Sequence, residues 1–346
     1  MTQAVASLSL DPPIATFLAR HGLDRARLAR LPGDASPRSY VRVAGEGRLL
    51  MEDRTDPVGF AAFLRLSRHL GAIGLSAPRV FGADPAVGLA LIEDFGTATY
   101  GALLGRGHDE ASLYELAIDT LVYLHSHPRA TELTVPAYDR TLLLKEVSVF
   151  SEWFVPAFRP DVNLVAFDAT FRTLWTRAFT ILDGAKPALV LRDFHIDNLM
   201  LLSDRTGVER CGLLDFQDAV IGPAEYDLMS LLQDARRDLA PDLEAAMLDR
   251  YLAATPIACG TPDQIRRRYH LLAAQRHTRL AGQFLRLHRR DGKPGYLAFM
   301  PRVLRQMQAA LEAAQLNELG DFIDQTLPGW RDAGPAFSRP PLRTDP

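Results

Sequence analysis

The run Leu191-Arg192-Asp193-Phe194-His195-Ile196-Asp197-Asn198 lies between two short apolar stretches, and Leu214-Asp215-Phe216 ends the next one, 22 residues past Asp193. An Asp, an Asn five residues on and a second Asp at the end of the following hairpin can converge, because strand, loop and hairpin return the chain to one edge. Such a trio suits phosphoryl transfer. One carboxylate can accept the proton of an attacking hydroxyl. A neutral amide and another carboxylate can hold Mg²⁺, a hard cation that prefers oxygen ligands and keeps substrate phosphates in its shell. The bland alternative is that all three are ordinary turn residues after strands. Their joint spacing with Gly222-Pro223-Ala224-Glu225-Tyr226-Asp227-Leu228, a turn leading into an apolar helix, favours the catalytic reading. Asp227 there has a structural role in prospect, accepting backbone N–H groups so that the catalytic loop keeps one geometry.

The elements that must position these residues follow from the pattern around them. Asp11-Pro12-Pro13 reads as a helix start, and apolar residues at helical spacing through Ile14, Phe17, Leu18 and Leu28 predict that the helix runs to Pro32-Gly33. Tyr40 to Val43 and Leu49 to Met51, separated by Gly45-Glu46-Gly47, predict a hairpin. A helix with Phe60, Phe63, Leu64, Leu70 and Ile73 on one side follows, then strands around Val80-Phe81 and Leu89 to Ile92. Together these make a small α+β lobe, closed by Glu93-Asp94-Phe95-Gly96, where a glycine lets the connection bend. Helical periods dominate afterwards, broken by short strands at Ala188 to Leu191, Leu199 to Leu202 and Cys211 to Leu214. The Pro- and Gly-rich tail from Leu327 reads as an irregular wrap or a frayed end.

Composition excludes more than it assigns. The 346 residues carry 39 basic and 42 acidic side chains, a net charge of -3, which argues against a surface built to hold nucleic acid. Cys211 and Cys259 are too few for a disulfide framework and show no metal spacing, so both read as reduced core thiols. His125-Ser126-His127 reads as a helix end with a packed histidine rather than a metal pair. The start lacks the pattern of a secretory signal, and no apolar run of membrane-spanning length appears, so the expected location is cytoplasmic, with no membrane partner. Of the basic residues only Lys145, Lys186 and Lys293 are lysines. Any mechanism needing a lysine before residue 145 is excluded.

At the motifs Arg192-Asp193-x-His195-x-x-Asn198, Leu214-Asp215-Phe216 and Gly222-Pro223-x-x-Tyr226-Asp227-Leu228, with Leu91-Ile92-Glu93-Asp94-Phe95-Gly96 upstream, the sequence resembles the aminoglycoside phosphotransferase and choline kinase superfamily. More narrowly, Asp215-Phe216-Gln217-Asp218-Ala219 and the stretch from Arg276-His277 to Lys293-Pro294 look like the anomeric N-acetylmuramate/N-acetylglucosamine kinases of bacterial cell-wall recycling. The resemblance runs from about residue 12 to 325. It implies an α+β, bilobal protein-kinase-like fold, with a small sheet-bearing lobe at residues 1–93 and a mostly helical lobe at 94–346. It also implies ATP as co-substrate and Mg²⁺ as cofactor, with Asp193 as the base, Asn198 and Asp215 as the Mg²⁺ ligands, and Glu93, Asp94 and Phe95 in the hinge beside adenine.

The departures matter equally. The strand lysine that usually touches ATP phosphates is missing, because Met51 or Glu52 occupies that strand, and the helix of residues 57 to 73 has no glutamate to pair with one. Arg38, in the loop Ser36-Pro37-Arg38-Ser39 that also brings Ser36 to ATP, or Arg42 is expected to supply the missing charge.

From Arg266 to Arg305 ten Arg and one Lys stand against a single acid, Asp291, and Arg276, Arg279, Gln283, Arg286 and Arg290 share one helical face. The plain reading is a solvated face. The sharper one has Arg276 meeting an anionic group of the substrate. Trp153 is a candidate platform for a sugar ring against the commoner reading as core, and Glu146 a candidate partner for a sugar hydroxyl. His195 is a candidate substrate contact against a reading as a packed loop histidine. The expected reaction is phosphorylation of the anomeric hydroxyl of N-acetylmuramate or N-acetylglucosamine in peptidoglycan recycling. Its rivals are an aminoglycoside, choline or homoserine-type kinase and, from another class, a non-catalytic kinase-like binding module.

Overall fold

The computed structural model describes residues 11–32, 38–256 and 259–337. Two compact units emerge: the described residues of Met1–Leu133 with Leu191–Ala219, and of Thr134–Val190 with Val220–Pro346. A cut at Glu93 follows element order along the chain, whereas these units follow packing. No helix among the described residues is long and apolar enough to cross a membrane.

In the first unit, helix α1 (Pro12–Arg20) starts where the prolines and the Asp11 cap place it, with Asp11 Oδ1 accepting from the Ile14 N–H at 3.1 Å. It does not run on to Pro32. Gly22 turns the chain at φ 71°, and Leu28–Arg30 is instead strand β1, paired antiparallel to β2 (Ser39–Val43). β2 pairs with β3 (Arg48–Glu52), and the sheet is completed by β4 (Val80–Asp84) and β5 (Leu89–Glu93) in the order β1-β2-β3-β5-β4. Helix α2 (Pro57–Ala72) connects β3 to β4, capped by Asp56.

Strand alternation divides the sheet's faces. Val41, Val43, Leu50, Leu89 and Leu91 pack with Phe17 and Leu18 of α1 into one core. Tyr40, Arg42, Leu49 and Ile92, one residue out of phase, line a cavity. Helices α3 (Tyr100–Leu104) and α4 (Glu110–Ser126) follow. The hairpin β7 (Leu199–Leu201)–β8 (Cys211–Leu213) is fastened to this unit by backbone bridges Thr99↔Met200 and Ser76↔Gly212. Cys211 is fully buried there, and burial pushes its thiol up to about 11, as befits a core residue.

The second unit is mainly helical: α5 (Arg140–Val149), a π-helical turn Phe150–Phe154, α6 (Val155–Phe158), α7 (Leu164–Ala178), α8 (Glu225–Leu232), α9 (Pro241–Ala254), α10 (Pro262–Arg289), α11 (Met300–Ala313) and α12 (Asn317–Thr326). A two-stranded ribbon, β6 (Pro187–Val190) with β9 (Val220–Pro223), adds a strand where the sequence reads as turn. Gly282 lets α10 approach the π-helical turn closely, since a Cβ there would lie 2.2 Å from the Val149 carbonyl oxygen. The tail packs rather than frays as far as Trp330. That indole is fully buried, and its Nε1 donates to Asp324 at 2.7 Å.

Candidate active site

The loop from Leu191 to Asn198 is locked by its own backbone. The Asp193 N–H donates to the Leu191 carbonyl at 3.0 Å, His195 to Asp193 at 3.1 Å and Asn198 to His195 at 2.9 Å. Arg192 (φ 73°) and Asp215 (φ 57°) both sit in the left-handed region, a conformation that L-residues keep only when their surroundings impose it. The Leu214 N–H donates to the Asn198 carbonyl at 3.0 Å, bringing the end of β8 beside the loop. Gly101 belongs to this packing. Its N–H donates to the Ile196 carbonyl, and a Cβ would lie 2.4 Å from Asp197 Oδ1.

These contacts gather the predicted trio. Asn198 Nδ2 donates to the Asp193 carbonyl at 3.0 Å and to Asp215 Oδ2 at 3.4 Å. It also lies 3.3 Å from Nε2 of the buried His195, which places that ring inside the loop as an acceptor for the amide. With the Asn198 amide nitrogen so engaged, its Oδ1 is the donor left for a cation. Asp215 is exposed beside it. Among the described residues no group of three or more His, Cys, Asp and Glu is arranged to hold a metal. One carboxylate and one amide are an all-oxygen pair that fits a cation whose other ligands come from a phosphate.

Asn198 and Asp215 form the polar end of a cavity of about 320 Å³. Its apolar walls include Leu49, Ile92, Met200 and Leu214, and the hinge Glu93 to Gly96 closes the other side. That is an apolar slot with a charged end. Two arginines shape the hinge. Arg42 donates to Asp94 and to the Gly96 carbonyl, while Arg205 donates to Glu93 and lies 5.1 Å over the Phe95 ring. Arg42 is therefore turned to the hinge, where it is bonded to Asp94.

Arg38 lines the same slot and is joined to its polar end. Its Nε donates to Asp53 Oδ2 at 3.0 Å and its Nη1 to Gln217 Oε1 at 3.0 Å. Gln217 in turn donates from Nε2 to Asp215 Oδ1 at 2.7 Å. Ser36 lies outside the described residues. Asp218, next in the motif, has its carboxyl raised by partial burial and by the neighbouring Asp193, Asp215 and Asp56 charges, against the pull of Arg192. The sequence alone does not single out Asp53 and Arg205, and it offers Gln217 only as part of the Asp215 to Ala219 motif. The hairpin register holds the signal for Asp53, since Ser39 opposite Glu52 puts Arg38 opposite Asp53.

In the second unit Glu146 and Arg276 belong to one buried polar cluster. Glu146 Oε2 accepts from Tyr138 at 2.6 Å and from Gln275 at 3.0 Å, and Arg279 lies 3.8 Å from its Oε1. Arg276 donates to the Tyr226 hydroxyl at 3.0 Å with its guanidinium 5.6 Å over that ring, so it is a buried prop rather than a cation on a solvated face. Trp153 is half-buried in the π-helical turn, a geometry enriched at functional positions. Asp227 is fully buried in the first turn of α8, next to Glu225, which forms a buried ion pair with Arg268 at 2.6 Å.

Residues 27–267 match the model of the phosphotransferase enzyme family, APH. An N-acetylmuramate/N-acetylglucosamine kinase of Caulobacter vibrioides is 38% identical over 354 residues, covering 91% of this chain and 96% of that protein. A kinase of the same name from Pseudomonas aeruginosa is 33% identical, with 86% and 88% covered. Among solved structures, the streptomycin–ATP–APH(2")-IIa ternary complex superposes with a TM-score of 0.60 at 16% identity, covering 84% of this chain and 97% of that one. A choline/ethanolamine kinase family protein from Mesorhizobium loti gives 0.61 at 16%, with 90% and 98% covered. At such identities these structures speak to the fold, which is the α+β, protein-kinase-like one.

Proposed function

This chain belongs to the phosphotransferase enzyme family, and from that membership we propose that it is an ATP-dependent kinase that phosphorylates the anomeric hydroxyl of N-acetylmuramate and N-acetylglucosamine. The observation that carries phosphoryl transfer is the trio itself: Asp193, Asn198 and Asp215 held on one backbone-locked loop and hairpin. The choice of sugar is supported by relatives that carry that name over most of their length. We place the reaction in the cytoplasm, as a step of peptidoglycan recycling.

The apolar slot takes adenine between Leu49, Ile92, Met200 and Leu214, with the hinge at its edge. The Asp193 carboxylate accepts the proton of the sugar hydroxyl as its oxygen attacks the γ-phosphorus, so the nucleophile is never a free alkoxide. Asn198 and Asp215 would hold Mg²⁺, which would supply neutralising charge at the phosphate oxygens. Arg38 lies on the same side as Asp215 and supplies cationic charge from the protein.

Sugar recognition we assign to the second unit, to Glu146 and Arg279 as polar contacts and Trp153 as a ring face, with Arg276 holding Tyr226 in place. The balance of charge in that cluster, Arg276 and Arg279 against the one carboxylate of Glu146, favours a neutral or anionic acceptor over cationic aminoglycosides or choline. Turnover measured in parallel on N-acetylmuramate, N-acetylglucosamine, kanamycin and choline, with NMR of the product, tests the reading. Sugar 1-phosphates are the expected products. Phosphate at any other position, or turnover confined to kanamycin or choline, would displace it.

A further inference from the structure

The hairpin that covers the slot ends in an ion pair whose carboxylate has no place in the expected machinery. Ser39 pairs with Glu52, so the next residues outward, Arg38 and Asp53, face each other, and both are buried, at 9% and 3% exposure. Arg38 Nε and Nη2 both lie 3.0 Å from Asp53 Oδ2, while Asp53 Oδ1 accepts from the Asp56 N–H at 3.3 Å, at the cap of α2. The guanidinium lies 5.5 Å over the ring of Phe63 on α2, and Phe63 stacks on Phe216 at 5.4 Å with planes 8° apart. Through Gln217 the same guanidinium reaches Asp215. One arginine thus touches the end of β3, helix α2 and the Asp215 segment together.

Burying two charges costs desolvation that their attraction only partly returns, and apolar residues of similar size would hold a hairpin as well. Kinases of this fold keep such a pair as a strand lysine and a helix glutamate, and both must be in place for turnover. Here no lysine precedes residue 145, and α2 from Pro57 to Ala72 contains no acid, presenting Phe63 instead.

We propose that Arg38 and Asp53 together replace the lysine–glutamate pair. Asp53 is a positioning residue that aims Arg38 at the nucleotide phosphates, and Gln217 is a positioning residue that sets Asp215 by the same arginine. The carboxylate has moved from the helix to the end of β3 and the cation from β3 to the start of β2. Helix α2 joins the arrangement through an aromatic face. This rests on the phosphotransferase reading, but its nucleotide half can be tested without an acceptor sugar.

The test is calorimetry of ADP binding with and without Mg²⁺, joined to steady-state kinetics and thermal melting. In Asp53→Asn the arginine loses its anchor, and ADP affinity and kcat each fall about tenfold or more, the scale of a lost charge-assisted hydrogen bond, while the sugar KM stays within about twofold. In Gln217→Ala, ADP binding without Mg²⁺ is kept and the gain on adding Mg²⁺ is reduced. Should Asp53→Asn fail to fold, the exchanged pair Arg38→Asp/Asp53→Arg restores the ion pair and the melting transition but leaves ADP affinity low, because the cation now sits on the wrong strand. Wild-type ADP affinity in Asp53→Asn or in the exchanged pair would overturn the proposal, as would an unchanged Mg²⁺ gain in Gln217→Ala. If the wild-type enzyme turned over neither amino sugar, the acceptor assignment would fail while the binding arms still decided this one.

Discussion

Arg42 and Asp94 are joined by two parallel hydrogen bonds, Nε to Oδ2 and Nη2 to Oδ1 at 2.9 Å, across a separation of 52 residues. Asp94 Oδ1 also accepts from the Gly96 N–H at 2.8 Å, so the arginine, the carboxylate and the hinge backbone form one fixture. Removing the guanidinium frees Asp94 and lets the hinge relax away from the slot proposed for adenine. Arg42→Ala is expected to raise the KM for ATP several-fold, at about 1 kcal/mol for a charged hydrogen-bonded pair at a partly exposed site, with kcat nearly unchanged. A collapse of kcat at constant KM would instead put Arg42 at the transferring phosphate.

Asp193→Asn keeps the size of the side chain and removes its basicity. Because the loop is fixed by backbone hydrogen bonds and by Asn198 on the Asp193 carbonyl, its geometry does not depend on the carboxylate. Turnover should fall by roughly two to four orders of magnitude, the usual weight of a general base, while ADP titrations retain the wild-type affinity. Residual turnover above a tenth of the wild-type rate would remove Asp193 from the base position.

Local signals were legible and distant partnerships were not. The Asp11 cap and the two prolines announce α1 because capping is settled within one turn, and the Asp193, Asn198 and Asp215 spacing announces a site because a short hairpin joins its parts. Leu28–Arg30 reads as helix in the sequence because three residues cannot establish a period, and only pairing to β2 makes them a strand. β9 is hidden in the same way, its partners on β6 being 30 to 36 residues distant. The pairing of Arg42 with Asp94 is hidden because it is fixed by strand order, with β5 beside β3, and that order is set by tertiary packing. Whether Arg276 is solvated or turned inward stays open in the sequence, because helical phase says which residues share a face, not which face is covered.

Arg286 offers a test of acceptor selectivity. Its Nε is buried with no hydrogen-bond partner among the described residues, and burial, reinforced by Arg290, holds its pKa below the ordinary arginine value. A cation in that state is improved by an anionic ligand, and the lactyl carboxylate distinguishes N-acetylmuramate from N-acetylglucosamine. Arg286→Gln is expected to raise the KM for N-acetylmuramate about tenfold and to leave N-acetylglucosamine within about twofold. Equal losses on both sugars would deny Arg286 any part in choosing between them.

The fully buried His277 ties the stability of the second unit to pH. Its Nε2 lies 3.1 Å from Gln233 Oε1, an acceptor, so the ring donates there, and its Nδ1 has no hydrogen-bond partner among the described residues. Burial first, then the Arg276 charge, brings its pKa down from 6.5 to about 3. Above pH 6.5 folded and unfolded chains both carry a neutral ring, and the group adds no pH dependence. Between 6.5 and about 3 the unfolded chain binds one proton more than the folded one, so stability is lost as pH falls, on the order of 1.4 kcal/mol per pH unit. His277→Gln keeps an N–H donor and cannot titrate. Urea midpoints measured from pH 7 to pH 4 should therefore fall less steeply for the variant, by about one proton's worth of slope. Parallel lines for the two proteins would mean that His277 is protonated without cost, contrary to its burial.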